Sequence, residues 1–310
     1  MRDTVNTFFM ASTETTAMID TKSIADELVI GLIGQGYVGK NYADDLEDRG
    51  YSIVRYALEE PYAGNKDKIA DCDIVFIGVP TPTTPDGFDD SIVRAAVGLV
   101  GAGKIAVIKS TVTPGTTLSI QEQYPDRTVF FSPEFLSEAT ARQDVSNPFV
   151  SIVGTTKPGE QEKEAELVLS VLPEAPYKRI MTSTEAEIFK YAHNVSGYVQ
   201  IIFFNILHDL AISLGASWEE IGAAVKADPF ISSRYSDPIH KSGRGAGGHC
   251  FIKDFAALRE LYSRTVSEDA AGIEFLDGAA RKNIHLLTST NKDLDLLAGV
   301  YGEDVIKAKA

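Results

Sequence analysis

The 310-residue chain carries 44 acidic against 29 basic side chains, a formal net charge of −15, with 44% hydrophobic and 24% charged residues. That composition excludes disorder, collagen-like repeats and a disulfide scaffold. The acidity argues against nucleic acid or an anionic membrane surface as partner, but leaves anionic small molecules open, because backbone N–H groups bind phosphate locally.

Residues 1–27 read as an extension without a period and without a secretory h-region. Residues 28–33 form an apolar run, as expected of a strand buried on both faces. A helix is predicted over 38–49, stopped by Gly50, and a second strand over 52–56. Strands at 73–78, 104–109, 128–131 and 150–153 alternate with helices near 90–100 and 160–172. This order predicts an α/β fold with a doubly wound, mostly parallel sheet. From Ser183 a long helix runs to about Leu214, closed by Gly215, with Ser183 as N-cap. Beyond it only helical segments and one glycine-rich loop are expected. The predicted division is an extension at 1–27, a Rossmann-type domain at 28–180 and an all-α domain at 181–310. Apolar runs such as 201–204 fall far short of the about 18 residues that span a bilayer. Two cysteines, Cys72 and Cys250, suit a reducing cytosol, so a cytoplasmic protein is expected.

Gly34-Gln35-Gly36-Tyr37-Val38-Gly39 matches G-x-G-x-x-G, directly after a strand and opening a helix. In that context the glycines allow a tight turn, close approach of a pyrophosphate and close helix packing. The acid that usually takes the ribose hydroxyls is replaced by Ala57. Glu59 and Glu60 lie just beyond it, and Arg55 sits on the strand. The two carboxylates weigh against a 2′-phosphate and favour NAD over NADP.

The stretch from Gly243 to Asp254 places Cys250 after four glycines and at the start of a predicted helix, where the dipole favours a thiolate. Lys253 and Asp254 follow on the same face. Cys72 precedes a buried strand and reads as core. No H-x-x-H or Cys/His cluster is present, so no metal is expected.

Five motifs in order resemble the UDP-glucose/GDP-mannose dehydrogenase family. They are Gly78-Val79-Pro80-Thr81 and the residues to Gly87, Lys109-Ser-Thr111 to Gly115, Ser132-Pro-Glu134-Phe135-Leu136-Ser-Glu138, Glu185 to Asn194, and Gly245 to Asp254. The resemblance implies oxidation of a nucleotide-sugar C6 alcohol to a carboxylate with two NAD. Cys250 is then the nucleophile, through a thiohemiacetal and a thioester. Lys190 and Asn194, four apart on one helix face, suit an oxyanion clamp. Of Glu134 and Glu138, one is a base or water-orienting group and the other positions Lys190. Thr111 and Asp254 hold the hydrolytic water, and Asn205 lies on the substrate face. Gly34, Gln35, Gly36, Tyr37, Val38, Gly39, Val79, Pro80, Thr81 and Thr111 are expected to line the cofactor. Glu134, Phe135, Leu136, Lys190, Asn194, Gly247 and Lys253 are expected to touch substrate.

The chain departs from the family pattern in ending about 48 residues after Tyr262. It thus reads as a short member lacking the C-terminal nucleotide-binding domain, with a partner chain completing the substrate site or a smaller substrate. A two-electron β-hydroxyacid or polyol dehydrogenase of the same superfamily needs no cysteine loop, and a non-catalytic homologue needs no intact site. The long helix is apolar on more than one face, and the family pairs it across a homodimer.

Overall fold

The computed structural model describes residues 28–137 and 139–307. The extension at 1–27 and Glu138, expected in the site, lie outside the described residues.

A seven-stranded sheet organises the first half. Its strands are β1 (Val29–Ile33), β2 (Ser52–Tyr56), β3 (Ile74–Ile77), β6 (Ile105–Ile108), β7 (Thr128–Phe131), β8 (Val150–Thr155) and β9 (Tyr177–Thr182). They lie in the order β2-β1-β3-β6-β7-β8-β9, with β4 (Thr83–Thr84) and β5 (Gly87–Phe88) as a separate small ladder. Neighbours run parallel except β7 and β8, which meet antiparallel through Phe131 and Gly154. Strands β3 and β6 are buried throughout. Ile74 and Phe76 join one core, Val75 and Ile77 the other. This period-two split between two covered faces explains their unbroken apolar runs.

Five helices flank the sheet: α1 (Tyr37–Asp48), α2 (Ser91–Val97), α3 (Thr116–Gln123), α4 (Ala141–Ser146) and α5 (Glu162–Val171). Sequence patterning passed over α3 and α4: α4 spans only six residues, and α3 buries a single apolar side chain, Ile120, among polar ones, so neither shows a helical apolar period. It also ended the sheet too soon. Tyr177–Thr182 pairs with β8 along its whole length. As an edge strand with no residue fully buried, it lacks the apolar signal of the inner strands.

Helix α6 (Ser183–Ser213) follows β9 without a loop. Its N-cap is Thr182 rather than Ser183: the Thr182 hydroxyl accepts from the Glu185 N–H, and the Glu185 carboxylate accepts from the Thr182 N–H. This reciprocal box satisfies two N-terminal donors at once. Gly215, at φ 72°, closes the helix. By length and composition alone α6 could cross a membrane, but Glu187, Lys190, Asn194 and Asn205 on it are buried within the protein. Its other side exposes Ile188, Phe203, Ile206 and Leu210.

The remainder comprises α7 (Trp218–Ala227), α8 (Gly248–Thr265), α9 (Ala270–Thr290), α10 (Leu294–Tyr301) and α11 (Asp304–Lys307). One departure from the all-α expectation is a two-residue ladder, β10 (Ile239–His240) with β11 (Gly243–Arg244). The core here is Tyr198, Ile202, Phe255 and Leu276, with the Tyr198 and Phe255 rings stacked 3.9 Å apart.

Candidate active site

At the end of β1 the chain turns through Gly34 at φ 88°. A Cβ there would lie 2.3 Å from the Gly78 carbonyl oxygen, and one on Gly39 would lie 1.8 Å from that of Gly34. Sterics alone require glycine at both places. Gly36 differs: a Cβ on it meets only open space. It is the N-cap of α1, no side chain caps that helix, and no acid occupies its first turn. The loop is thus a cradle in front of a helix N-terminus, and it fits the pyrophosphate of a dinucleotide. Gln35, Tyr37 and Val38 complete that loop. Across from it, the Val79 N–H donates to Ser110 Oγ at 2.9 Å and the Thr81 hydroxyl donates to the Thr111 carbonyl oxygen at 2.8 Å. These bonds tie Val79, Pro80, Thr81 and Thr111 together at the carboxyl ends of β3 and β6, where ligands bind in such sheets.

Lys190 lies two turns into α6, buried. Its Nζ donates to the Glu134 carboxylate at 3.0 Å and to the Glu134 carbonyl oxygen. The Glu134 carboxylate also accepts from the Leu136 N–H at 2.9 Å, and the Phe135 ring lies 5.0 Å from Nζ. Burial opposes both charges. The pair prevails: Lys190, with the Leu136 N–H, holds Glu134 below its ordinary value, and Glu134, with Cys250 and Asp254, holds Lys190 above its own. Glu134 is thus ion-paired with Lys190. His193, packed against Phe135 and Phe149, is pushed down to about 4 by burial and Lys190, so it is neutral near pH 7.

Asn194, one turn further, donates from Nδ2 to Asp254 at 2.6 Å, and Lys253 donates to the other Asp254 oxygen at 2.6 Å. Asp254 is buried and joins α6 to α8. Cys250 is exposed and lies within electrostatic reach of Asp254, Lys190, Lys253 and Glu134. The expected thiolate is not favoured. Surrounding protein pushes the thiol up, Asp254 adds to the rise, and Lys190 and Lys253 only partly offset it. Alkylation of Cys250 by iodoacetamide should therefore be slow at pH 7 and rise through and beyond pH 9. A Lys190→Met variant should shift the profile higher still. A rate plateau below pH 8 in the parent protein would contradict this.

The glycine-rich loop approaches its own chain. A Cβ on Gly243 would lie 2.5 Å from Thr290 Oγ1, and one on Gly247 1.9 Å from Asp293 Oδ2. Lys292 donates to the Gly245 carbonyl oxygen at 2.9 Å, and the Gly248 N–H donates to Asp293 at 2.8 Å. Asn283 accepts from the Ala246 N–H at 2.7 Å and donates to its carbonyl oxygen at 3.0 Å. Asn205, expected on the substrate face, is fully buried and instead accepts from Arg244 at 2.7 Å.

Three residues escaped the sequence reading. Glu187, at the first turns of α6, accepts from the Gly115 N–H at 2.6 Å and the Thr117 N–H at 2.8 Å, capping α3 from 70 residues away. Lys109 is buried, lies 4.2 Å from the Tyr42 ring and donates to Ser132 Oγ at 3.1 Å and the Pro133 carbonyl oxygen at 3.3 Å. Burial pulls it to about 7. Asp293 is the third. Glu187 and Lys109 stood within quoted motifs without a role, and Asp293 stood in none. Among the described residues no group of three or more His, Cys, Asp or Glu side chains could hold a metal.

Comparison with known proteins matches both halves of the chain. Residues 62–171 match the NAD binding domain, and residues 184–283 the central domain, of the UDP-glucose/GDP-mannose dehydrogenase family. The UDP-glucose 6-dehydrogenase of Rhizobium meliloti is 34% identical, with 75% of this chain and 51% of that protein covered. UDP-glucose 6-dehydrogenase AglM of Haloferax volcanii is 28% identical, with 74% and 64% covered. The chain thus spans about half to two thirds of the length of these curated relatives. The structure of a UDP-glucose dehydrogenase from Pyrobaculum islandicum superimposes with a TM-score of 0.71 at 28% identity, covering 84% of this chain and 70% of that one.

Proposed function

The chain belongs to the UDP-glucose/GDP-mannose dehydrogenase family and carries its NAD binding domain, and from that premise we propose that it oxidises the C6 alcohol of a nucleotide sugar to a carboxylate. The observation that carries this reading is the convergence of exposed Cys250 with buried Lys190, Asn194 and Asp254. A two-electron dehydrogenase needs no such thiol.

NAD, held by the glycine cradle, supplies the hydride acceptor for each of the two oxidations. Lys190 and Asn194 donate to the alcohol oxygen as its proton leaves to water, so charge developing there meets fixed donors. The resulting aldehyde stays bound. Cys250 then adds across its C=O bond: the C–S bond forms, and the thiol proton ends on the former carbonyl oxygen. Because this proton travels with the attack, a thiol that rests protonated is no obstacle. Loss of a second hydride and that proton leaves a thioester. Asp254 orients the water that attacks the thioester carbon, the C–S bond breaks, and the thiol is restored as the carboxylate departs. Glu134 holds Lys190 in place through every step.

The direct test is turnover of a panel of UDP- and GDP-sugars by the purified chain, with product stoichiometry. Two NADH per carboxylate are expected. One NADH per aldehyde, or no turnover of any nucleotide sugar, would overturn the reading. We further propose a homodimer built on the exposed Ile188, Phe203, Ile206 and Leu210 face of α6, since a contiguous apolar face of this kind ordinarily marks an interface. Light scattering should give twice the chain mass, and Phe203→Glu with Leu210→Glu should halve it. A monomeric parent protein would refute the dimer.

A further inference from the structure

Arg55 occupies the last turn of strand that faces the cofactor cradle, and all three of its nitrogens are engaged. Nε donates to Glu47 at 3.0 Å, Nη2 to Glu47 at 2.6 Å and to Asp44 at 2.7 Å, and Nη1 to Gln35 at 3.4 Å. Four of the five N–H bonds a guanidinium offers are therefore used. Gln35 belongs to the glycine loop itself, and the Gly34 N–H donates to the Tyr56 carbonyl oxygen at 2.9 Å, so the tip of β2 is locked against that loop. Ala57, at the position where a carboxylate ordinarily takes the ribose hydroxyls, is buried and offers no polar group.

An arginine near this place ordinarily accepts the 2′-phosphate of NADP. Here two α1 carboxylates already occupy the arginine in the phosphate's place. Asp44, Glu47 and Arg55 also line an open cavity with Lys40, and these four charges sum to zero. We propose that the Asp44–Glu47–Arg55 cluster sets the choice of dinucleotide: the two carboxylates occupy the arginine and exclude a 2′-phosphate, replacing selection by a ribose-binding acid. Discrimination works by rejecting the wrong cofactor rather than by grasping the right one. The proposal rests on the assignment of the glycine loop to a dinucleotide.

Calorimetric titration of the full chain with NADH and NADPH tests it without turnover. The parent protein should bind NADH at least about tenfold more tightly, the scale of one charge-assisted hydrogen bond. Asp44→Asn with Glu47→Gln keeps the side-chain shapes and frees the guanidinium, so NADPH should gain about tenfold or more relative to NADH. Adding Arg55→Leu to that pair should cancel the gain, which identifies the arginine as its source. Equal affinities in the parent protein, an unchanged ratio in the double variant, or a gain that survives loss of Arg55 would each overturn the proposal. A parent protein that binds neither dinucleotide would instead overturn the cofactor assignment beneath it.

Discussion

Cys250→Ala should lower carboxylate formation by about a thousandfold or more, the scale of losing a covalent nucleophile. The side chain is exposed, so its truncation opens no core cavity and the melting temperature should hold. The glycine cradle stands on β1 and α1, away from α8, so NADH binding should survive as well. Any residual product should be aldehyde with one NADH, because the first oxidation does not use sulfur. Carboxylate formed at the parent rate, with two NADH, would remove Cys250 from the chemistry.

Lys190→Met should cost both activity and stability, and the two losses can be separated. Removing a preorganised cation from a developing oxyanion costs about a hundredfold to a thousandfold in kcat. The same change strands the buried Glu134 carboxylate, which costs about 3–5 kcal/mol when one partner of a buried pair is lost. Glu134→Gln added to Lys190→Met removes both charges. Stability should then recover in large part while activity should not. The pH dependence follows from the two shifts. Glu134 lies below its unfolded value, so its contribution is present above about pH 4 and is lost as acid protonates the folded carboxyl. Lys190 lies above its unfolded value, so its contribution is present below about pH 10 and is lost as the pH rises through the folded value. In the double variant both limbs should flatten. Full activity in the double variant, or a single variant as stable as the parent, would contradict this account.

The inner sheet and the glycine loop were legible because their causes are local. Strands 74–77 and 105–108 are apolar throughout since both faces are covered, Gly34 is required by its own positive φ, and Gly39 by a backbone approach within the turn itself. The Lys190, Asn194 and Asp254 constellation was readable from helical spacing together with the family motifs. What sequence hid is long-range. Glu187 looked like an ordinary acid in a first turn, yet its partners lie 70 residues earlier. Thr182 stands three residues before Glu185, the capping-box spacing, whereas Ser183 stands three before Ala186, so this cap was legible in the sequence. The edge strand at Tyr177 lacked a signal because an edge needs none. Asn205 shares the face of Asn194 by count, but Arg244 claims it. The dipole argument for Cys250 was sound as far as it went, and Asp254 together with the surrounding protein outweighed it.

The clamp on the cysteine loop carries a consequence for the order in which the protein is made. Gly245, Ala246 and Gly248 are held by Lys292, Asn283 and Asp293. During synthesis the thiol at position 250 leaves the ribosome some forty residues before its last supports, a span fixed by the 45-residue separation of Gly248 from Asp293. A nascent chain halted before Lys292 therefore lacks two of the loop's three supports. The turn between α9 and α10 must emerge before the loop can take up its clamped form.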